Sequence, residues 1–268
     1  MGVGNSEILS KLYEEVKAYI HPLAARKCIY TGHGNLTVIL DESSPAYQYV
    51  LHTCQLHHLH PYIYQWVHYS KKEIEQSAFF DLLLSDPLEL EGTVGSDYGT
   101  QYTGGCPNCS LGAKPAGEYL MDRKFIRKHC MGRLRPEIFV SRELKDLIEE
   151  NRFTGVSFPQ KIMDFKGRDI PEYYIMDITH TLPPMSDSSW LWQTKYPYRG
   201  YEACGHQILY LRSDMQYEKE KLENACDFNL SCEYVNNFRE QKIIVSSRVR
   251  KIFKENKIKA NYFPVALL

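Results

Sequence analysis

The chain has 268 residues, 43% apolar and 24% charged, with 32 basic against 33 acidic side chains and a formal net charge of −1. That composition excludes a disordered, collagen-like or coiled-coil chain, and the length is enough to bury a core without disulfide staples. Nucleic-acid binders usually carry a basic excess to hold phosphates, and this chain has none overall, so composition speaks against a nucleic-acid partner.

Residues 7–20 form the first expected helix: Leu9, Leu12, Val16, Tyr19 and Ile20 share one side, Ser6 can cap it, and His21-Pro22 stops it. Residues 27–69 read as strands. Cys28-Ile29-Tyr30 and Leu36 to Leu40 flank a turn-rich connection, Thr31-Gly32-His33-Gly34-Asn35, and an aromatic group follows at Tyr47 to Leu51 and Tyr62 to Tyr69. Ser70-Lys71-Lys72-Glu73 spells a capping box, with a helix expected behind it to about Leu84 and Ile74, Ala78 and Leu82 turned inward. Residues 92–112 are glycine-rich and read as a connector or a loop bent tightly around something. No apolar run reaches the roughly 18–20 residues that cross a bilayer, and no basic flank precedes an apolar core at the N-terminus. With eight cysteines too sparse for a disulfide scaffold, the expected compartment is cytoplasmic and the thiols are expected reduced.

The most informative feature is internal similarity. Residues 138–159, IFVSRELKDLIEENRFTGVSFP, align without a gap to residues 243–264, IIVSSRVRKIFKENKIKANYFP, at a constant offset of 105, with seven of 22 positions identical. Each copy has a β-branched run ending at a serine able to cap a helix, an apolar stripe at helical spacing, an asparagine able to end the helix in the left-handed conformation, and a short strand closing at Phe-Pro. The expected unit is strand–helix–strand, present twice. The helices differ in charge: the first carries Asp146, Glu149 and Glu150, the second Arg248, Arg250, Lys251 and Lys254, with Lys257 and Lys259 just beyond. Solvated faces explain most of that contrast; a basic patch meeting an acidic partner is the sharper reading.

Cys106-Pro107-Asn108-Cys109 is the strongest chemical motif, because two thiolates two residues apart can grip one zinc from a single tight turn. Cys204-Gly205-His206 lies upstream of the second copy much as the first pair lies upstream of the first. The expected cofactor is one structural Zn²⁺ on Cys106, Cys109, Cys204 and His206, a closed set with no position left for water; the alternatives are a redox pair at Cys106 and Cys109, and Cys204 and His206 as ordinary core residues. A rival group, His52, Cys54, His57, His58, His60 and His68, matches no metal spacing and reads as packed or exposed side chains. No Gly-x-Ser-x-Gly, P-loop, dinucleotide fingerprint or His-Glu-x-x-His is present, and no catalytic residue is expected.

The order Tyr98-Gly99-Thr100-Gln101-Tyr102, Cys106-Pro107-Asn108-Cys109, Phe139-Val140-Ser141-Arg142-Glu143-Leu144 and Phe153-Thr154-Gly155-Val156-Ser157-Phe158 resembles the bacterial double-CxxCG-motif family and related immunity proteins of polymorphic toxin systems. The resemblance covers about residues 92–268. Ser110 stands where that pattern has glycine, and the second knuckle is reduced to Cys204-Gly205-His206. The resemblance implies a non-enzymatic binding protein whose partner is a cognate toxin. The alternative is a zinc-stabilised nucleic-acid or regulatory binder using the basic C-terminal helix; an enzyme built on the histidine-rich segment is a third option. The expected architecture is α+β: an N-terminal α/β region over 1–91, then halves 92–175 and 176–268, each with one strand–helix–strand copy, tied by the zinc knuckle.

Overall fold

The computed structural model describes residues 3–19, 29–31, 35–59, 63, 67–84, 102–107, 113–121, 123–126, 129–134, 137–189, 191–194, 208–235 and 241–268. Helices and strands are mixed, as expected for an α+β chain, and the residues divide into two compact units, Met1–Ile63 and Tyr64–Leu268. Among the described residues no helix is long and apolar enough to cross a membrane.

In the first unit, helix α1 (Val3–Val16) buries Leu12 and Val16, one turn apart, in a small core with Ala46, Leu36, Val38, Leu40 and Val50. Strands β1 (Ile29–Thr31) and β2 (Asn35–Thr37) pair antiparallel, and residues 32–34 of the expected turn lie outside the described residues. The segment Tyr47 to Leu51, expected as strand, is instead part of helix α2 (Pro45–Leu56). Its signal is local: the Tyr47 N–H donates to Ser44 Oγ, and Pro45 takes the first helical position, where a missing N–H leaves no bond unmade. Ala46, Val50 and Cys54 then recur every four residues, and that period overrides the β-propensity of the tyrosines.

In the second unit the capping box forms as read: Ser70 N–H donates to Glu73 Oε2 at 2.7 Å and Glu73 N–H to Ser70 Oγ at 3.3 Å. Helix α3 (Lys71–Gln76) stops well short of Leu84, however, and Phe79–Leu84 is strand β3. Phe-Phe-Asp-Leu-Leu-Leu has the nearly continuous apolar character of a strand flanked on both edges, which the sequence alone does not separate from a buried helix.

Two sheets dominate this unit. The first has the order β6-β9-β10-β8-β7, from β6 (Tyr119–Leu120), β7 (Met131–Leu134), β8 (Glu137–Ser141), β9 (Val156–Met163) and β10 (Asp169–Ile178). The second has the order β14-β15-β3-β16, from β14 (Phe228–Tyr234), β15 (Gln241–Ser246) and β16 (Ala260–Pro264). The short helix α4 (Arg123–Ile126) lies between β6 and β7, helix α5 (Arg142–Glu150) joins β8 to β9, and α6 (Ser247–Glu255) joins β15 to β16. In both sheets the strand–helix–strand segment straddles one central antiparallel strand, β10 in the first and β3 in the second. A preceding hairpin strand, β7 or β14, covers the outer edge. The central strand follows its segment in the first sheet and comes from far upstream in the second. Residues 79–84, expected from the sequence as helix within the N-terminal region over 1–91, are thus an integral strand of the C-terminal sheet.

The two helices share their ends as well as their order. Ser141 Oγ accepts from Leu144 N–H and Ser246 Oγ from Val249 N–H, each at 3.3 Å. Asn151 and Asn256 do not take the left-handed conformation expected of them. They keep negative φ (−81° and −90°) and donate Nδ2 to the carbonyls of Leu147 and Ile252 at 2.8 and 2.9 Å. The left-handed residue is the next one, Arg152 (φ 51°) or Lys257 (φ 57°). Beyond it, Phe153 N–H reaches Ile148 O and Ile258 N–H reaches Phe253 O, closing a Schellman motif at each helix. Ser141→Ala is expected to cost about 1 kcal/mol, the usual value of an N-cap. Ser246→Ala is expected to cost about 2 kcal/mol, because its hydroxyl also donates to the largely buried Asp227 Oδ1 at 2.7 Å, whereas the carboxyl that the Ser141 hydroxyl faces, Glu143, is exposed. Urea unfolding of the two single variants checks the difference.

One core serves both sheets. Leu144 and Ile148 of α5, Val249 and Phe253 of α6, Val140, Val245, Phe80 and Phe228 are all at most 1% exposed within it. Phe153, Phe228 and Phe253 meet with ring centroids 5.9 to 6.4 Å apart in tilted and edge-on pairs. A second core, including Phe139, Ile162, Ile170 and Ile126, lies on the other side of the first sheet. Short pairings complete the unit: β4 (Tyr102–Thr103) with β5 (Lys114–Pro115), β11 (Leu191–Thr194) with β12 (Ile208–Leu211), and β13 (Gln216–Tyr217) parallel to β17 (Ala266–Leu267).

Candidate functional site

Of the four expected zinc ligands, Cys106 is described; Cys109, Cys204 and His206 lie outside the described residues. Cys106 is half-buried just after β4, behind Gly104 (φ 72°) and Gly105 (φ 73°). Two successive left-handed residues turn the chain sharply there, a conformation that only glycine adopts readily. Among the described residues no three His, Cys, Asp or Glu side chains are close enough to hold a metal.

The histidine-rich segment does not converge. His52, His57 and His58 are exposed on or just after α2, while Cys54 is buried at 6% exposure. His68 is exposed in the second unit, and His60 lies outside the described residues. His180 has a structural bond: its Nδ1 lies 2.8 Å from Asn229 Oδ1. Since Asn229 Nδ2 donates to Cys226 O and Ile244 O, that oxygen is the acceptor and His180 Nδ1 carries the proton.

The basic helix is only partly available to a partner. Arg248 Nη1 donates to Asp227 Oδ2 at 3.2 Å, its Nη2 donates to the carbonyl of Asn151, and the guanidinium lies 4.8 Å from the centre of the Phe153 ring. Arg250 sits 4.6 Å from the centre of the Phe80 ring. The exposed lysines on this face are Lys251, Lys254, Lys257 and Lys259; Arg248 is exposed as well, at 52% of its side chain, but is tied to Asp227. Burial, with Arg250 nearby, lowers the Lys254 pKa from its ordinary value.

A pocket of about 250 Å³ opens beside α5, and its lining includes Cys130, Glu143, Asp146, Glu150, Asn256 and Ile258. Its charge is carried by carboxylates. The backbone N–H of Glu143 and the Ser141 hydroxyl hold the Glu143 carboxyl below the usual range, with Arg142 adding to the effect. Burial pushes the Cys130 thiol up, so it is uncharged at neutral pH.

This pocket has a filled counterpart in the other half. At the offset of 105, Glu143 aligns with Arg248, Asn256 with Asn151, and Ile258 with Phe153. Cys130 corresponds to Asp227: the Ser141 N–H donates to Cys130 O at 2.7 Å, and the Ser246 N–H donates to Asp227 O at 3.0 Å. Each of these two residues immediately precedes its hairpin pairing, Met131↔Val140 or Phe228↔Val245. The Thr154 N–H donates to Asp227 Oδ2, and the N–H of Lys259, the aligned residue, faces the Cys130 sulfur. All three groups that hold the Arg248 guanidinium therefore have a counterpart in the pocket lining. Sequence reading missed this pocket. Its signal is the Glu143/Arg248 inversion in the alignment, which becomes meaningful only with Cys130 and Asp227 beside it.

A scan against protein-family models and a search of curated proteins returned no match to this chain.

Proposed function

We propose that the chain is a non-enzymatic binding protein acting in the cytoplasm as an antidote to a cognate bacterial toxin. The observation that carries this reading is the ordered series of motifs from Tyr98 to Phe158 and its partial return before Pro264, which resembles that of toxin-immunity proteins. The matching caps and Schellman ends of α5 and α6 support an origin of the two halves by duplication. The carboxylate-lined pocket supports a partner-directed surface. A structural Zn²⁺ on Cys106, Cys109, Cys204 and His206 belongs to the same reading; the paired left-handed glycines before Cys106 suit a zinc knuckle.

The test is neutralisation. The gene adjacent to this one, expressed alone, is expected to arrest growth, and co-expression of this chain to restore it through a complex isolable by size exclusion. Metal analysis of the purified chain is expected to give one zinc per molecule, with Cys106→Ser releasing it and lowering the melting temperature. Salt-sensitive binding to nucleic acid through Lys251, Lys254, Lys257 and Lys259 is the outcome that would replace the antidote reading with a nucleic-acid or regulatory binder. Turnover of a small molecule, abolished by changing a histidine within residues 52–68, would replace it with an enzyme.

A further inference from the structure

Resting on the reading of the chain as a binding protein, we propose that the pocket beside α5 receives the guanidinium of an arginine side chain presented by the protein partner. Acidic lining alone would not identify a ligand. The identification comes from the counterpart site, where the fold already holds a guanidinium. There Arg248 is gripped by a carboxylate (Asp227), a helix-end carbonyl (Asn151) and an apolar face (Phe153). The pocket retains the same frame in Asn256 and Ile258, while the chain's own plug is changed in both its parts. Glu143 stands where the arginine would be, and neutral Cys130 where its carboxylate partner would be. The missing group is a cation, and the negative charge needed to hold it has moved to Glu143, with Asp146 and Glu150 on the same helix.

Size and chemistry narrow the occupant. At about 250 Å³ the space lies below the roughly 300–1,000 Å³ of sites for drug-sized ligands, and it suits a single side chain. A planar guanidinium can pair with a carboxylate and a carbonyl at once while resting on an apolar face, which a lysine ammonium does poorly. The corresponding cation–ring contacts of Lys145 over Tyr174 (5.2 Å) and Arg250 over Phe80 (4.6 Å) show that the two halves match beyond the pocket itself.

The test uses the full chain and two probes, N-acetyl-arginine methylamide and N-acetyl-lysine methylamide, followed by amide NMR shifts. The arginine probe is expected to move the signals of Cys130, Glu143, Glu150, Asn256 and Ile258 and to bind about tenfold tighter than the lysine probe. Glu143→Gln is expected to weaken it about tenfold, the loss of one charge-assisted pair. The double variant Cys130→Asp with Glu143→Arg rebuilds the internal plug. It is expected to melt higher than Glu143→Arg alone and to bind neither probe. Equal affinity for the two probes, shifts elsewhere on the surface, or undiminished binding by Glu143→Gln would overturn the proposal, and the last of these does not depend on how the double variant folds. Probe binding with no neutralisation of the adjacent gene product would remove the antidote reading and leave the arginine pocket standing. Neutralisation by the rebuilt double variant at wild-type potency would do the reverse.

Discussion

Gly155→Ala is expected to destabilise the second unit by about 2–5 kcal/mol, combining the strain of a left-handed alanine with overpacking. Gly155 holds φ at +80°, and a Cβ there would lie 2.1 Å from the Phe228 carbonyl oxygen and 2.6 Å from Cys226 Cβ. Neither neighbour can yield easily, because Thr154 O accepts from Phe228 N–H and Gly155 O from Thr179 N–H, each at 3.0 Å. Gly167 is the matched control: it holds φ at +70° with nothing within 4 Å of the added carbon. Gly167→Ala is expected to cost only the backbone strain, about 1–2 kcal/mol. Guanidinium unfolding of the two variants measures the difference, and equal costs would show that the close approach at Gly155 relaxes.

Phe253→Ala is expected to cost about 3–5 kcal/mol, the range for truncating a fully buried aromatic side chain. Phe253 is 0% exposed and its ring meets both Phe153 and Phe228. Those rings come from the end of α5 and from β14, so the cavity would open where the two sheets share their core. The loss should appear in one cooperative transition of the second unit. Two separated transitions would mean that the halves unfold independently despite the common core.

The parts of this fold that are legible in the sequence are those whose signal is local. The caps at Ser70, Ser141 and Ser246, the stripes of α5 and α6, and the antiparallel pairing of β1 with β2 each depend on residues a few positions apart. The helix at 45–56 was also local, in Ser44-Pro45 and the spacing of Ala46, Val50 and Cys54, but aromatic β-propensity obscured it. The strand at 79–84 was not local. Its apolar run follows a genuine helix start, and only pairing with residues 241–246 and 260–264 makes it a strand. The charge contrast between the two helices is visible in the alignment, yet its meaning is not. Arg248 becomes the chain's own partner for Asp227 and the end of α5, and Glu143 the wall of a pocket, only when Asp227 and Cys130 are folded beside them.

The position of β3 also sets an order of events during synthesis. The first sheet draws its central strand from the residues that follow α5, so its β7–β10 pairings can form as soon as residue 178 has emerged. Strand β3 is made much earlier but must wait for partners such as Lys242, 161 positions further on. Pairing over such a separation closes late and slowly, and an unpaired apolar run is exposed to aggregation meanwhile. Asp81 stands in the middle of that run, where a charge discourages wrong strand-to-strand pairing. Once the sheet closes, the same carboxylate accepts from Lys242 Nζ at 2.9 Å. The one charge in the apolar run thus becomes, in the finished sheet, one half of an ion pair to a late-arriving strand.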